Sequence, residues 1–316
     1  MTEPAARLYD VRYSRFTGER QGRLSSVLAL ARSSATRALG LRRTTGSKVW
    51  PFLLIGAAHL PAVAAIGVPL LFEEAPPPLT LVSYSSLLAT IAPILVAFAA
   101  TTLPSLLTRE RRDRVLSLYF STAVSPKEYL AGKVLTAVGL MSLVTLSPLL
   151  LLLVGSVLTA DTPLTALRED GSDLPVVVLA GLVAAVFFAA LGLLAGSLTS
   201  KRVFAVGGLL AVLLVTPVLA ELVSALTDRP SGLAANLTFV PVRAATTLLP
   251  GAAFDAQEPL SPPDGLVWAV LAGVVLLSAA SSRSATPSET TCERHAAGRR
   301  GLQVVRRHGG AVRRVL

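Results

Sequence analysis

The chain has a single cysteine, three histidines and only 15% charged residues among 316. One cysteine excludes a disulfide framework, and no Cys/His spacing typical of a structural metal site occurs. There is no His-Glu-x-x-His, and no pair of carboxylates falls within an apolar run, so the residues of a zinc hydrolase or a carboxylate-based membrane enzyme are missing. Serines are plentiful, but none sits in a recognisable nucleophile pattern. A Gly-x-x-x-x-Gly-Lys-Ser/Thr phosphate loop is also absent, so this chain does not hold a nucleotide in that way. Soluble domains carry about 25% charged residues. The shortfall, with 52% hydrophobic residues and a mean hydropathy of +0.63, makes this an all-α membrane protein by expectation.

Six apolar runs stand out at about 49–72, 81–107, 134–159, 175–199, 203–226 and 265–280. Most reach the roughly 20 residues a helix needs to cross about 30 Å of hydrocarbon. Of the 29 Lys and Arg, 26 lie in segments 1–48, 108–133, 200–202 and 281–316. The other three, Arg168, Arg229 and Arg243, lie in 160–174 and 227–264, and Glu73, Glu74, Asp161, Glu169, Asp170 and Asp173 sit on that same side. The positive-inside rule therefore predicts both termini in the cytoplasm of a multi-pass protein. The formal charge of +10 borders spans rather than forming a stripe, which argues for a lipid bilayer as partner and against nucleic acid. The first 48 residues are polar, so no cleavable signal peptide is expected. The Ala, Arg, Leu and Gly bias points to a bacterial source, and hence to the cytoplasmic (inner) membrane.

Segment 1–48 is read as a cytoplasmic N-terminus carrying an amphipathic helix in 18–43. Leu24, Val27, Leu28 and Ala31, continued by Ala35, Ala38 and Leu39, recur at spacings of three and four, while Arg23, Arg32 and Arg37 lie off that stripe. Such a helix suits the headgroup region of a membrane. Residues 49–280 form the six-span domain. Within it, 108–133 reads as a helix–corner–helix hairpin. Glu110 to Ser121 is expected as one helix, with Val115, Leu118 and Tyr119 on one side. Ser125-Pro-Lys-Glu128 is a capping box that starts a second helix, which runs through Tyr129 and Lys133 into the third span. Interleaved Glu110, Asp113 and Glu128, and the Tyr119-Phe120 pair, exceed what positive-inside anchoring requires, so the hairpin is expected to dock a partner. Segment 227–264, interrupted by Pro241 and Pro250, could re-enter the outer interface as two short helices or lie as a plain surface loop.

These pieces together resemble the permease subunit of an ATP-binding cassette transporter of the type 2 exporter class, with an actinobacterial-like leader from Tyr9 to Arg43. The local match is best in Arg109–Leu135, where Glu110, Val124-Ser125, Glu128 and Gly132-Lys133 fit the family pattern. It departs at Asp113-Arg114, where Gly-Thr is usual, and at Ala123, where Pro is usual. The resemblance implies that the hairpin is a coupling element for a separate ATPase subunit. Val115, Leu118, Tyr119 and Tyr129 would form the docking surface and Glu110, Asp113 and Arg114 its polar rim, with Ser125, Glu128 and Lys133 also among the ATPase-docking residues. It further implies a second permease subunit, identical or different. ATP and Mg would be held by the partner, with no cofactor, metal or catalytic residue in this chain.

Three other readings are weaker. An ion-coupled carrier needs ionisable groups at mid-membrane, and the apolar runs offer only His59 and Glu221, each with a structural explanation. A membrane enzyme lacks its residues, as above. A membrane partner that transports nothing is poorly separated by sequence. The last run, 265–280, is short for a crossing, and 281–316 is a basic tail with Cys292, two of the three His, eight Arg and no Lys. That composition fits a frameshifted end of span six, or else a genuine tail that binds anionic lipid.

Overall fold

The computed structural model describes residues 22–41, 45–71, 83–113, 125–160, 162, 174–227, 236–248 and 264–285. Among them the only regular elements are helices: α1 (Arg23–Ala38), α2 (Thr45–Leu71), α3 (Tyr84–Thr102), α4 (Ser105–Arg112), α5 (Pro126–Thr159), α6 (Leu174–Leu198), α7 (Arg202–Thr227), α8 (Val240–Thr246) and α9 (Asp264–Ala285). Six helical stretches are long and apolar enough to cross a membrane: α2 from Lys48, α3 with α4, α5, α6, α7, and α9 to Ser281. The all-α, six-span expectation therefore holds. The last helix runs 22 residues to Ala285, so it is longer than the apolar run that announced it. The tail beyond it, with the frameshift question, lies outside the described residues.

The spans form an inner and an outer set. Over their most apolar 18 residues, α3–α4, α5 and α6 are 61, 50 and 67% buried, against 17, 22 and 11% for α2, α7 and α9. Lipid is as apolar as leucine, so close packing rather than hydrophobic expulsion holds such helices together. Small residues permit that approach. A side chain at Gly192 would overlap Leu103, and one at Gly196 would press on the backbone of Pro104 at 3.0 Å. Gly181 likewise receives Leu146, and beside it Thr145 Oγ1 donates to the Gly181 carbonyl at 3.1 Å, a polar tie between α5 and α6.

The second span is broken at Leu103-Pro104. Proline lacks the N–H that would continue the ladder, so carbonyls near the break take other donors. Thr102 accepts from Ser105 Oγ at 2.6 Å, and Thr101 from Arg202 Nη2 at 3.1 Å. This is the break on which Gly192 and Gly196 pack.

In segment 227–264 the described part is a turn at Asn236–Phe239 followed by α8. Asn236 Oδ1 accepts from the N–H groups of Thr238 and Phe239, each at 3.1 Å. Val240, Val242, Ala244 and Ala245 are buried, and Thr238 Oγ1 donates to the Leu213 carbonyl at 2.8 Å. Leu213 lies 14 residues before the end of α7 at Thr227, roughly 21 Å along the helix axis. The short helix is thus packed among the spans, while Arg243 reaches Asp264 at the start of α9 at 3.7 Å.

Candidate functional site

The charged segment between spans two and three begins with a helix end. α4 stops at Arg112, and Asp113 is its C-cap, with its N–H on the Arg109 and Arg111 carbonyls. This corrects the expectation of one helix from Glu110 to Ser121: the chain turns at Asp113. Arg114, Val115, Leu118 and Tyr119 lie outside the described residues. The return limb starts as its sequence dictates. Ser125 Oγ accepts from the Glu128 N–H at 3.3 Å, Glu128 Oε2 accepts from the Ser125 N–H at 2.9 Å, and Pro126 takes the first helical position.

Between the limbs lies a buried polar hub. Glu110 Oε1 accepts from Lys133 Nζ at 2.6 Å, and Glu110 Oε2 from the Tyr129 hydroxyl at 2.6 Å. Lys133 donates also to Ser34 Oγ at 3.0 Å, and Arg37 Nη2 approaches Glu110 Oε1 at 3.5 Å. Glu110 is 5% exposed, and Tyr129 and Lys133 1% each. Burial of a carboxylate and an ammonium is tolerable only because each meets the other and their remaining valences find hydroxyls or a guanidinium.

The hub alters three assignments. Tyr129, expected at the docking surface, Glu110, expected in its polar rim, and Lys133, expected among the docking residues, face one another inside the protein. The reason is register. Tyr129 and Lys133 are four apart on α5 and share a face, and that face meets α4. Asp113 stays half exposed, paired with Arg109 at 3.7 Å and Arg112 at 3.5 Å. Exposed pairs of this kind contribute little, about 0–1 kcal/mol.

The amphipathic helix α1 supplies the hub's other members, Ser34 and Arg37. Its predicted stripe divides in two. Ala31 is buried with Leu30 and Ser34 against α5, where Leu30 lies on Gly132 and the Ala31 carbonyl accepts from Thr136 Oγ1 at 3.2 Å. Leu24 and Leu28 remain 72 and 50% exposed, with Val27 between the two directions. The helix therefore has a protein-facing side and, turned away from it, an apolar side open to the surroundings. Sequence reading missed Leu30 and Ser34 and named Arg37 only as lying off the apolar stripe, although Lys133 at the mouth of an apolar run signalled that partners were required.

Two more arginines tie the same end of the bundle. Arg111 Nη1 donates to the Ser197 carbonyl at the end of α6, and Arg202 holds the broken second span as described. Among the described residues no cluster of His, Cys, Asp or Glu could hold a metal ion.

The family model described as "ABC-2 family transporter protein" matches residues 64–280. That range contains the hub residues of α4 and α5 and leaves α1 outside it. No curated protein matches the chain.

Proposed function

The chain belongs to the ABC-2 family of transporter proteins, as a multi-pass permease, and on that premise we propose that segment 108–133 docks a separate ATPase subunit. The observation that carries this reading is the hub around Glu110. It fastens the outgoing limb (α4), the returning limb (α5) and the amphipathic helix α1 to one another through buried, charge-assisted bonds. A displacement applied to the connection between Asp113 and Ser125 would therefore move spans two and three and α1 together.

In this reading the contact surface is Val115, Leu118 and Tyr119, rimmed by Asp113 and Arg114, while Ser125 and Glu128 fix where the returning limb begins. ATP and Mg bind in the partner. Two permease subunits, alike or different, assemble with two ATPase subunits. Closure of the ATPase pair shifts the spans in favour of an outward-open state, by as much as the two states differ in affinity for the closed pair. The substrate is apolar or amphipathic and moves outward. Support for that class comes from how few ionisable groups the spans hold: His59 Nδ1 is engaged with the Ile55 carbonyl at 2.7 Å, and Glu221, near the end of α7, is exposed. Both termini lie in the cytoplasm of a bacterial inner membrane, in keeping with the charge asymmetry.

The test is co-expression with the ATPase encoded beside this gene, purification through a tag on this chain, and native mass spectrometry. A two-plus-two complex that dissociates with Arg114→Glu and Tyr119→Ala supports the reading. A chain that runs alone, or that keeps its ATPase in the variant, removes the docking assignment and favours a non-transporting membrane partner.

A further inference from the structure

A cavity of about 550 Å³ opens on the basic side of the bundle, between α1, the start of α2, the broken end of span two and the α6–α7 connection. Its lining holds five cations (Arg37, Arg109, Arg112, Lys133 and Arg202) against two carboxylates, Glu110 and Asp113. Both carboxylates are already engaged. Glu110 is taken by Lys133, Tyr129 and Arg37, and Asp113 by Arg109 and Arg112. A surplus of three positive charges is left facing a partly open volume of the size that takes a small ligand group.

A second observation points to an occupant. Thr108 is 1% exposed and lines this cavity, and its hydroxyl is buried without a hydrogen-bond partner among the described residues. Buried hydroxyls are normally satisfied, and an orphan beside a cationic cavity is a donor waiting for an acceptor. The wall also includes Trp50, which is 52% exposed where the first span begins, at the level favoured by interfacial aromatics. The cavity therefore adjoins the surface that meets lipid headgroups.

We propose that this cavity binds a phosphate group, with Arg109, Arg112 and Arg202 supplying charge and Thr108 Oγ1 a hydrogen bond. The cavity's place beside Trp50 fits the phosphodiester of an anionic lipid, and free phosphate offers the same chemistry. The cavity shares Asp113 with the rim proposed to dock an ATPase, but its cations and Thr108 lie outside the proposed contact surface of Val115, Leu118 and Tyr119. An occupant would join α1, α2, the second span and the α6–α7 connection, so lipid composition would set how firmly those elements move as one.

The experiment uses the full chain in detergent, equilibrated with phosphatidylglycerol or phosphatidylcholine of matched acyl chains and read by native mass spectrometry. Retention of phosphatidylglycerol is expected to exceed phosphatidylcholine by about 30- to 150-fold, as two or three basic residues near a headgroup would give at about 1 kcal/mol each. Arg109→Gln with Arg202→Gln should abolish that preference. Thr108→Val, nearly isosteric and confined to the orphan hydroxyl, should weaken it several-fold while the melting temperature is maintained. A parallel arm titrates inorganic phosphate against chloride at equal ionic strength. Phosphate that raises the melting temperature in wild type, but not in the arginine variant, with no preference among lipids, assigns the cavity to the free anion. Preference for phosphatidylglycerol that survives millimolar phosphate assigns it to lipid. Equal retention of both lipids with no protection by phosphate overturns the proposal, as does a preference unchanged in all variants.

Discussion

Lys133 Nζ lies 2.6 Å from Glu110 Oε1, with the two side chains 1 and 6% exposed, and this contact joins the two limbs of the segment between spans two and three. A buried pair of this kind adds little net stability over an apolar pair, yet loss of one member strands the other charge. Lys133→Met or Glu110→Ala alone should therefore cost about 3–5 kcal/mol. The double change Glu110→Gln with Lys133→Met should recover a large part of that loss. Melting temperatures of the three variants in one detergent check this, and single variants that melt with the wild type would refute it.

Tyr129 can be separated from its charge-assisted bond without disturbing its packing. Tyr129→Phe keeps the ring beneath Lys133, whose Nζ is 5.4 Å from the ring centroid, and removes only the hydroxyl on Glu110. The expected cost is about 1.5–3 kcal/mol, in the range for hydrogen bonds to charged groups. In a Glu110→Gln background the same change should cost distinctly less, because the carboxylate is already gone. Additive losses in such a cycle would mean that the two residues do not act through each other.

The start of the returning limb rests on Ser125. Ser125→Ala removes the acceptor of the Glu128 N–H and should destabilise the first turn of α5 by about 1 kcal/mol, whereas Glu128→Gln retains a capping-box partner and should be milder. Amide hydrogen exchange is the appropriate readout. Faster exchange confined to the amides just after Ser125 is expected, and exchange identical to wild type there would show that the cap contributes nothing.

Glycines in the spans fall into two groups with opposite expectations. Gly192 and Gly196 lie against Leu103 and Pro104, so Gly192→Leu should force the fourth span off the break in the second and lose 1–3 kcal/mol or about that, or the fold itself. Gly207 and Gly208 have open space where a Cβ would go, and Gly207→Ala should be neutral or stabilising by a few tenths to about 1 kcal/mol. Thermal melts of the two variants side by side test this. Equal losses at Gly192 and Gly207 would contradict the packing.

The spans were legible because their signal is bulk hydropathy over twenty residues, and the charge asymmetry made their number unambiguous. The Ser125 capping box was legible too, since it depends on residues three apart in sequence. The hub was not. Glu110, Tyr129 and Lys133 read as surface groups because they lie in a charged segment, and only the approach of α1 and α4 to α5 turns them inward. Leu30 and Ser34 were missed for a related reason. One helix wheel cannot tell the side that meets protein from the side that meets lipid when both are apolar. The break at Leu103-Pro104, and its reception by Gly192 and Gly196, needed tertiary contacts in the same way. Small residues four apart are common in apolar helices, and only a partner gives them meaning.

The proposed orientation rests on charge and can be measured directly. Lys127 is exposed beside the hub, in one of the segments that together hold 26 of the 29 Lys and Arg, whereas Asp170 lies in the acidic connection between the third and fourth spans. With Cys292→Ser as background, Lys127→Cys and Asp170→Cys place one thiol on each side. Each basic residue near the membrane surface interacts with anionic lipid by about 1 kcal/mol, so carrying the basic segments across would forfeit far more than any single packing contact supplies. An impermeant maleimide should therefore label Asp170→Cys in intact cells and Lys127→Cys only after permeabilisation. The reverse pattern would invert the protein in the membrane and place the Glu110 hub, with its cationic cavity, on the face opposite to any cytoplasmic ATPase. Labelling of both in intact cells would mean that the six-span count is wrong between residues 127 and 170.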